Sequence, residues 1–190
     1  NLTLLNLRSI GGNLEIRENN NVNYIVGLFN IDSIGGALSF SFNPNLNGMS
    51  ELRNLRFIGG SLSFRQNQNL QEIDFDNLRY VGGNFSLSGN SRLRTLAFID
   101  QLQTIGGDLI IDQNDNLSTL YGFINLSEIG GDLYIYDSGL RDLSGLDSLL
   151  TIGGRLYVEN NGALFDLTGL QQVTSIGSDL IIQNNNNLRN

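Results

Sequence analysis

The chain has 190 residues, 40% of them hydrophobic, which suits one domain with a real core. Nineteen Asp and Glu against 11 Arg, with no Lys, give a net charge of −8. That sign repels phosphate backbones and anionic lipid, so nucleic-acid and membrane-surface partners are disfavoured, and the absence of Cys rules out a disulfide framework.

No run approaches the ~20 apolar residues of a membrane span, so direct membrane insertion is not expected of this segment. No charged-then-apolar leader opens the chain. The sequence starts and stops inside its own repeat, so it is expected to be a mature segment or an excised piece of a longer chain.

The repeat is the dominant signal. Ile-Gly-Gly, or a near copy, begins at Ile10, Ile34, Ile58, Val81, Ile105, Ile129, Ile152 and Ile176, at intervals of 24, 24, 23, 24, 24, 23 and 24 residues. After each glycine pair the apolar residues alternate: Leu14 and Ile16, Leu38 and Phe40, Leu62 and Phe64, Phe85 and Leu87. The later units continue with Leu109 and Ile111, Leu133 and Ile135, Leu156 and Val158, Leu180 and Ile182. Period two predicts a strand with one face inward and one in solvent. Further along each unit the spacing becomes three, as in Leu140, Leu143, Leu146, Leu149 and Ile152. Sustained threes do not average to the 3.6 of a helix and are expected to trace an extended, roughly threefold path. The fold class is therefore all-β: a parallel β-solenoid of about eight coils of 23–24 residues, one solenoid domain over 1–190, with no α-helix. Stacked coils at ~4.8 Å give a rod roughly 35–40 Å long.

Two polar columns accompany the core. The glycine pairs, replaced by Gly177-Ser178 in the last coil, supply either a positive-φ corner or a close approach of neighbouring coils. A phosphate-cradling loop would need a following helix and a Lys, and the pattern has neither. The second column is Asn19, Asn43, Asn67, Asn90, Asn114, Asn161 and Asn185, with Ser138 as the exception. Stacked Asn side chains are expected to hydrogen-bond along the solenoid. The two short coils should close up locally, one around Phe75 and the other between Ile135 and Leu140.

The unit Leu-x-Ile-x-x-Asn-x-x-Leu resembles leucine-rich repeats, whose strand core is Leu-x-Leu-x-x-Asn. With the preceding Ile-Gly-Gly and the longer step to the next Leu, it looks more like receptor L domains, the right-handed β-helical ligand-binding lobes of growth-factor-type receptors. Similar tandem units occur in surface proteins of fungi, bacteria and protists. The resemblance implies a right-handed solenoid and a cell-surface or secreted binding role. It carries no site residue over, because family members bind through positions outside the shared pattern.

Outward strand positions are the ones the fold does not dictate. The first outward column runs Glu15, Ser39, Ser63, Ser86, Ile110, Tyr134, Tyr157, Ile181, and the second Arg17, Ser41, Arg65, Ser88, Asp112, Tyr136, Glu159, Gln183. Coils two to four thus present mainly serine. Coils five to eight present Ile110, Tyr134, Tyr136, Tyr157 and Ile181, the candidate binding residues, with Tyr134 and Tyr157 as cross-strand neighbours. Such a ladder also simply strengthens a sheet, so both readings stand. A third column, Asn13, Ala37, Ser61, Asn84, Asp108, Asp132, Arg155 and Asp179, sets Arg155 between two carboxylates. Asp108, Asp112 and Asp132 suggest calcium, but lack the spacing of calcium-binding β-rolls and of EF-hands.

Four sequons, at Asn1, Asn84, Asn116 and Asn125, are candidate glycosylation sites, the last two in turns. Without His or Cys, only carboxylate chemistry is open to an enzyme, and a flat sheet gives no cleft across which two carboxylates would face. Nothing implies a cofactor. The expected role is a non-catalytic, extracellular or cell-surface recognition or adhesion module that binds a protein or glycan through the sheet face. The alternative is a structural unit that assembles end to end with copies of itself.

Overall fold

The computed structural model describes residues 4–189. Each coil contributes a four-residue strand after its glycine pair, from Leu14–Arg17 and Leu38–Ser41 through Leu133–Tyr136 and Leu156–Glu159 to Leu180–Gln183. Eight of these pair in parallel, each with the next coil, into one long-strand sheet. A second eight-stranded parallel sheet is built from two-residue strands ending on the first residue of each Ile-Gly-Gly, such as Phe57–Ile58, Tyr80–Val81 and Thr104–Ile105. A third side is irregular, with one parallel pair, Glu72–Asp74 with Thr95–Phe98, and two 3-10 turns at Ser50–Leu52 and Tyr121–Phe123. No α-helix occurs among the described residues. This is an all-β, all-parallel β-solenoid of seven to eight turns.

Register follows the repeat. Leu109 pairs with Leu133, Ile110 with Tyr134, Ile111 with Ile135 and Asp112 with Tyr136. Because side chains alternate across a strand, this register sends every equivalent Leu and Ile inward together. Leu38, Leu62 and Leu109 have no exposed surface, and one continuous core cluster runs from Ile16 to Leu164. The spacing of three has a local cause that differs from the extended path expected. Leu146 donates its amide to the Leu143 carbonyl (3.1 Å) and Leu149 to Leu146 (2.9 Å), so that side is a run of tight turns, each placing one leucine inward.

The glycine pairs serve close approach and not a positive φ. A methyl group on Gly35 would lie 2.5 Å from the Gly11 carbonyl oxygen, and one on Gly60 2.8 Å from the Ala37 nitrogen. The positive-φ corner lies elsewhere, on the residue before each asparagine of the column, or before Ser138: Glu18, Phe42, Gln66, Gly89, Gln113, Asp137, Asn160 and Asn184, with φ between 47° and 68°. Only one of the eight is glycine. The asparagine beside it offsets the cost of ~1–2 kcal/mol for each non-glycine residue. Its side-chain amide bridges the corner to the carbonyl two residues back, as from Asn114 to Asp112 (3.0 Å) and Asn161 to Glu159 (2.9 Å).

The asparagine column is a hydrogen-bonded ladder, as expected from the sequence, and is buried from Asn43 to Asn161. Asn67 Oδ1 accepts from the Asn43 amide (3.2 Å), while Asn67 Nδ2 donates to the Phe40 carbonyl (2.9 Å) of the previous coil. At Ser138 the hydroxyl turns to the Tyr136 carbonyl instead (3.0 Å), so the bonds an asparagine would make to the coil before are not made. Both short coils close up locally, where the sequence placed them. One lost residue falls at Asp74, where the Glu72–Asp74 pairing shifts register against Thr95–Phe98; the other falls at Gly139.

Candidate binding face

The long-strand sheet presents the tyrosines. Ile110, Tyr134, Tyr157 and Ile181 stand opposite one another on four consecutive strands, and all four are half-buried. The Tyr134 and Tyr157 ring centroids are 5.6 Å apart with planes tilted by 53°. Tyr136 lies in the adjacent column, between Asp112 and Glu159. All five candidate residues therefore share one exposed face.

Polar bonds hold the Tyr157 ring in place. The Tyr157 hydroxyl donates to the Glu159 carboxylate and accepts from Gln183 Nε2 (3.0 Å). Glu159 is in turn engaged by Asn184 Nδ2 (3.1 Å). A hydrogen bond to Glu159 raises the Tyr157 hydroxyl above its ordinary pKa of 10, and one to Asp132 does the same for Tyr134. Both rings thus remain neutral at physiological pH. A ring fixed before contact loses little rotamer freedom on binding, which favours affinity.

The third column proves to be a second ladder. Asn84 Oδ1 accepts from the Asp108 amide (2.9 Å), Asp108 Oδ1 from the Asp132 amide (2.8 Å), and Asp132 Oδ1 from the Arg155 amide (2.6 Å). Arg155 Nε then pairs with Asp179 at 3.2 Å, both side chains at least half exposed. Asp108 and Asp132 are occupied with capping backbone amides, while Asp112, in another column, accepts from the Ser88 hydroxyl (3.4 Å) and is pushed up by burial. Among the described residues no three acidic side chains converge on a metal-sized site. A cavity of about 560 Å³ is lined by Ile16, Val22, Tyr24 and their neighbours in the first coil, far along the chain from these carboxylates.

The sequons differ in setting. Asn1 lies outside the described residues. Asn84 is half-buried, and both ends of its amide engage Asp108. Asn116 and Asn125 are exposed, each giving one amide hydrogen to a carbonyl of the previous coil, Ser91 (2.6 Å) and Asp100 (2.7 Å).

Residues 103–190 match the receptor L domain family. That stretch holds the four coils that carry the tyrosine face. Over it the chain is similar to receptor L domains, and the earlier coils continue the same repeat in the same register. No curated protein and no solved structure matches the chain. Among the described residues no helix is long and apolar enough to cross a membrane.

One surface group lay outside the sequence-based candidates. Phe57 and Tyr80, on adjacent strands of the short-strand sheet, stack at 5.3 Å with planes 6° apart. Its signal is present in the sequence as Arg56-Phe57-Ile58-Gly59-Gly60 over Arg79-Tyr80-Val81-Gly82-Gly83.

Proposed function

We propose that this solenoid is a non-catalytic recognition or adhesion module of the cell surface or extracellular space, binding a protein or glycan through the tyrosine face. One observation carries the reading. Ile110, Tyr134, Tyr157 and Ile181 line up on four strands, beside Tyr136, with the Tyr157 hydroxyl already tied down. Aromatic groups with polar tips suit protein interfaces and stack on sugar rings. The likeness of residues 103–190 to receptor L domains supports a surface location, and exposed Asn116 and Asn125 are the sequons suited to carry glycans there.

The test replaces Tyr134 and Tyr157 together by alanine and screens glycan arrays and surface extracts for ligands of the parent chain. Loss of at least tenfold in affinity, with the fold retained by circular dichroism, supports the site. Undiminished binding removes it.

A second reading, a structural unit that stacks through its ends, rests on a separate observation. Every coil joins the next through the same parallel pairing in both sheets, a mode of contact that would serve equally between copies. Light scattering that finds only monomer at high concentration counts against self-assembly.

A further inference from the structure

We infer that the short-strand sheet carries a second binding site, for an acidic polysaccharide, centred on Arg56, Phe57, Arg79 and Tyr80. The four residues form two basic-aromatic pairs on adjacent coils, locked in register by the Phe57–Tyr80 pairing and by the bond from the Arg79 amide to the Arg56 carbonyl (3.1 Å). Phe57 and Tyr80 are 43% and 37% exposed, and both arginines are exposed.

Two features point to a ligand. First, like charges facing each other on neighbouring strands destabilise a sheet. Yet neither guanidinium makes an ion pair or hydrogen bond among the described residues; the nearest acid in their column, Asp32, accepts instead from the Ser33 hydroxyl (3.0 Å). A structural aromatic ladder has no use for such a pair, whereas an anionic ligand does. Second, charge is unevenly spread along the rod. Residues 53–94 hold six arginines against three carboxylates, while residues 108–166 hold two against ten. The patch is the exposed aromatic part of the basic stretch.

A sugar chain fits better than an acidic peptide. The short strands of coils three and four are paired on both sides, leaving no edge for strand addition. Beyond the stack the column continues with small residues, Ser33 on one side and Thr104 on the other, so the outer face of each ring is open to a sugar ring. Carboxylates or sulfates along the chain would meet the two guanidinium forks, a charge-assisted contact. The site shares no residue with the tyrosine face, so either reading can fail alone.

The test measures binding of heparin, polygalacturonate, neutral dextran and poly-glutamate by calorimetry at low salt. The expected result is binding of heparin or polygalacturonate but not dextran, weakened at least about tenfold in Arg56→Gln with Arg79→Gln, or about 1.4 kcal/mol. Phe57→Ser with Tyr80→Thr, which installs the residues of the flanking coils, should weaken it severalfold with the circular dichroism spectrum retained. Arg92→Gln with Arg94→Gln, further along the coil that begins at Val81, and Tyr134→Ala with Tyr157→Ala should leave it unchanged. No binding to either acidic polysaccharide, an equal loss in the Arg92/Arg94 variant, no loss in the Phe57/Tyr80 variant, or equally tight poly-glutamate would each overturn the proposal.

Discussion

Asn67→Ala is the most direct probe of what holds successive coils together. The substitution removes the Oδ1 that accepts from the Asn43 amide at 3.2 Å and the Nδ2 that donates to the Phe40 carbonyl at 2.9 Å. Asn67 and Asn43 are fully buried, so water cannot replace these partners. Leaving one buried polar group unsatisfied costs about 1–3 kcal/mol, and two groups are orphaned here, giving about 2–5 kcal/mol after allowing for overlap. Asn45→Ala, two residues after Asn43 on the preceding coil, is the control: its Nδ2 also reaches back one coil, to Asn20 (2.6 Å), but from an exposed position, and the expected loss is below about 1 kcal/mol. Urea unfolding followed by far-ultraviolet circular dichroism and tyrosine emission measures both, since the chain has no Trp. Hydrogen exchange should show the loss concentrated at the Asn43 amide, because each coil leans only on its neighbours. If Asn67→Ala costs no more than Asn45→Ala, the buried column is not what joins the coils.

Two further outcomes follow from the same geometry. Gly106→Ala would drive a methyl group into the Gly82 carbonyl oxygen with both coils fixed by pairing; a loss of about 2–4 kcal/mol in urea unfolding is expected, and a neutral result would refute the close-approach role of the column. Asp74 is pushed up to about 6 by burial and then by the Asp76 carboxylate, and its Oδ1 is buried without a partner. Since the folded value lies above the ordinary 3.8, the native state holds the extra proton and stability falls as pH rises between about 4 and 6. Asp74→Asn should abolish that fall and gain about 1 kcal/mol at pH 7, a figure reduced from the full linkage value because the side chain is partly solvent-screened. Thermal unfolding across pH 4–7 reads both, and parallel curves for the two proteins would refute the assignment.

The inward face of the solenoid was legible because it repeats in chemistry as well as in position. Ile-Gly-Gly, the alternating pair and the asparagine each recur as the same residue type, so register, core and both short coils followed from spacing alone. The positive-φ corners were not legible, since Glu18, Phe42, Gln66 and Asp137 share no property except standing before a residue of the asparagine column. There the stack imposes a conformation that local preference opposes, and sequence-level reasoning reads local preference. The third column was visible as a charge pattern, but its carboxylates suggested calcium because their partners are backbone amides of the next coil. Those partners exist only once the coils are stacked. The tyrosines were found by position, whereas the bonds that immobilise Tyr157 depend on Glu159 and Gln183, two residues along and one coil away.

The two candidate faces call for chemically different ligands, and the division follows from the columns. Core, glycine and asparagine positions satisfy the fold, so outward residues vary without penalty to register, and charge has separated along the rod. The tyrosine face sits among Asp112, Asp132 and Glu159, which would repel a polyanion, so its partner should be neutral or cationic and should bind mainly by ring contact. The Arg56 and Arg79 pair faces outward with neither guanidinium in an ion pair among the described residues, and its attraction for an anion should fade once the screening length drops to ~3 Å in molar salt. Salt therefore separates the sites without mutation: binding that persists at high ionic strength belongs to the tyrosines, and binding that vanishes belongs to the arginines. A single ligand showing both behaviours would have to bridge the two sheets around the edge of a coil, at coils four and five, where the basic stretch meets the acidic one.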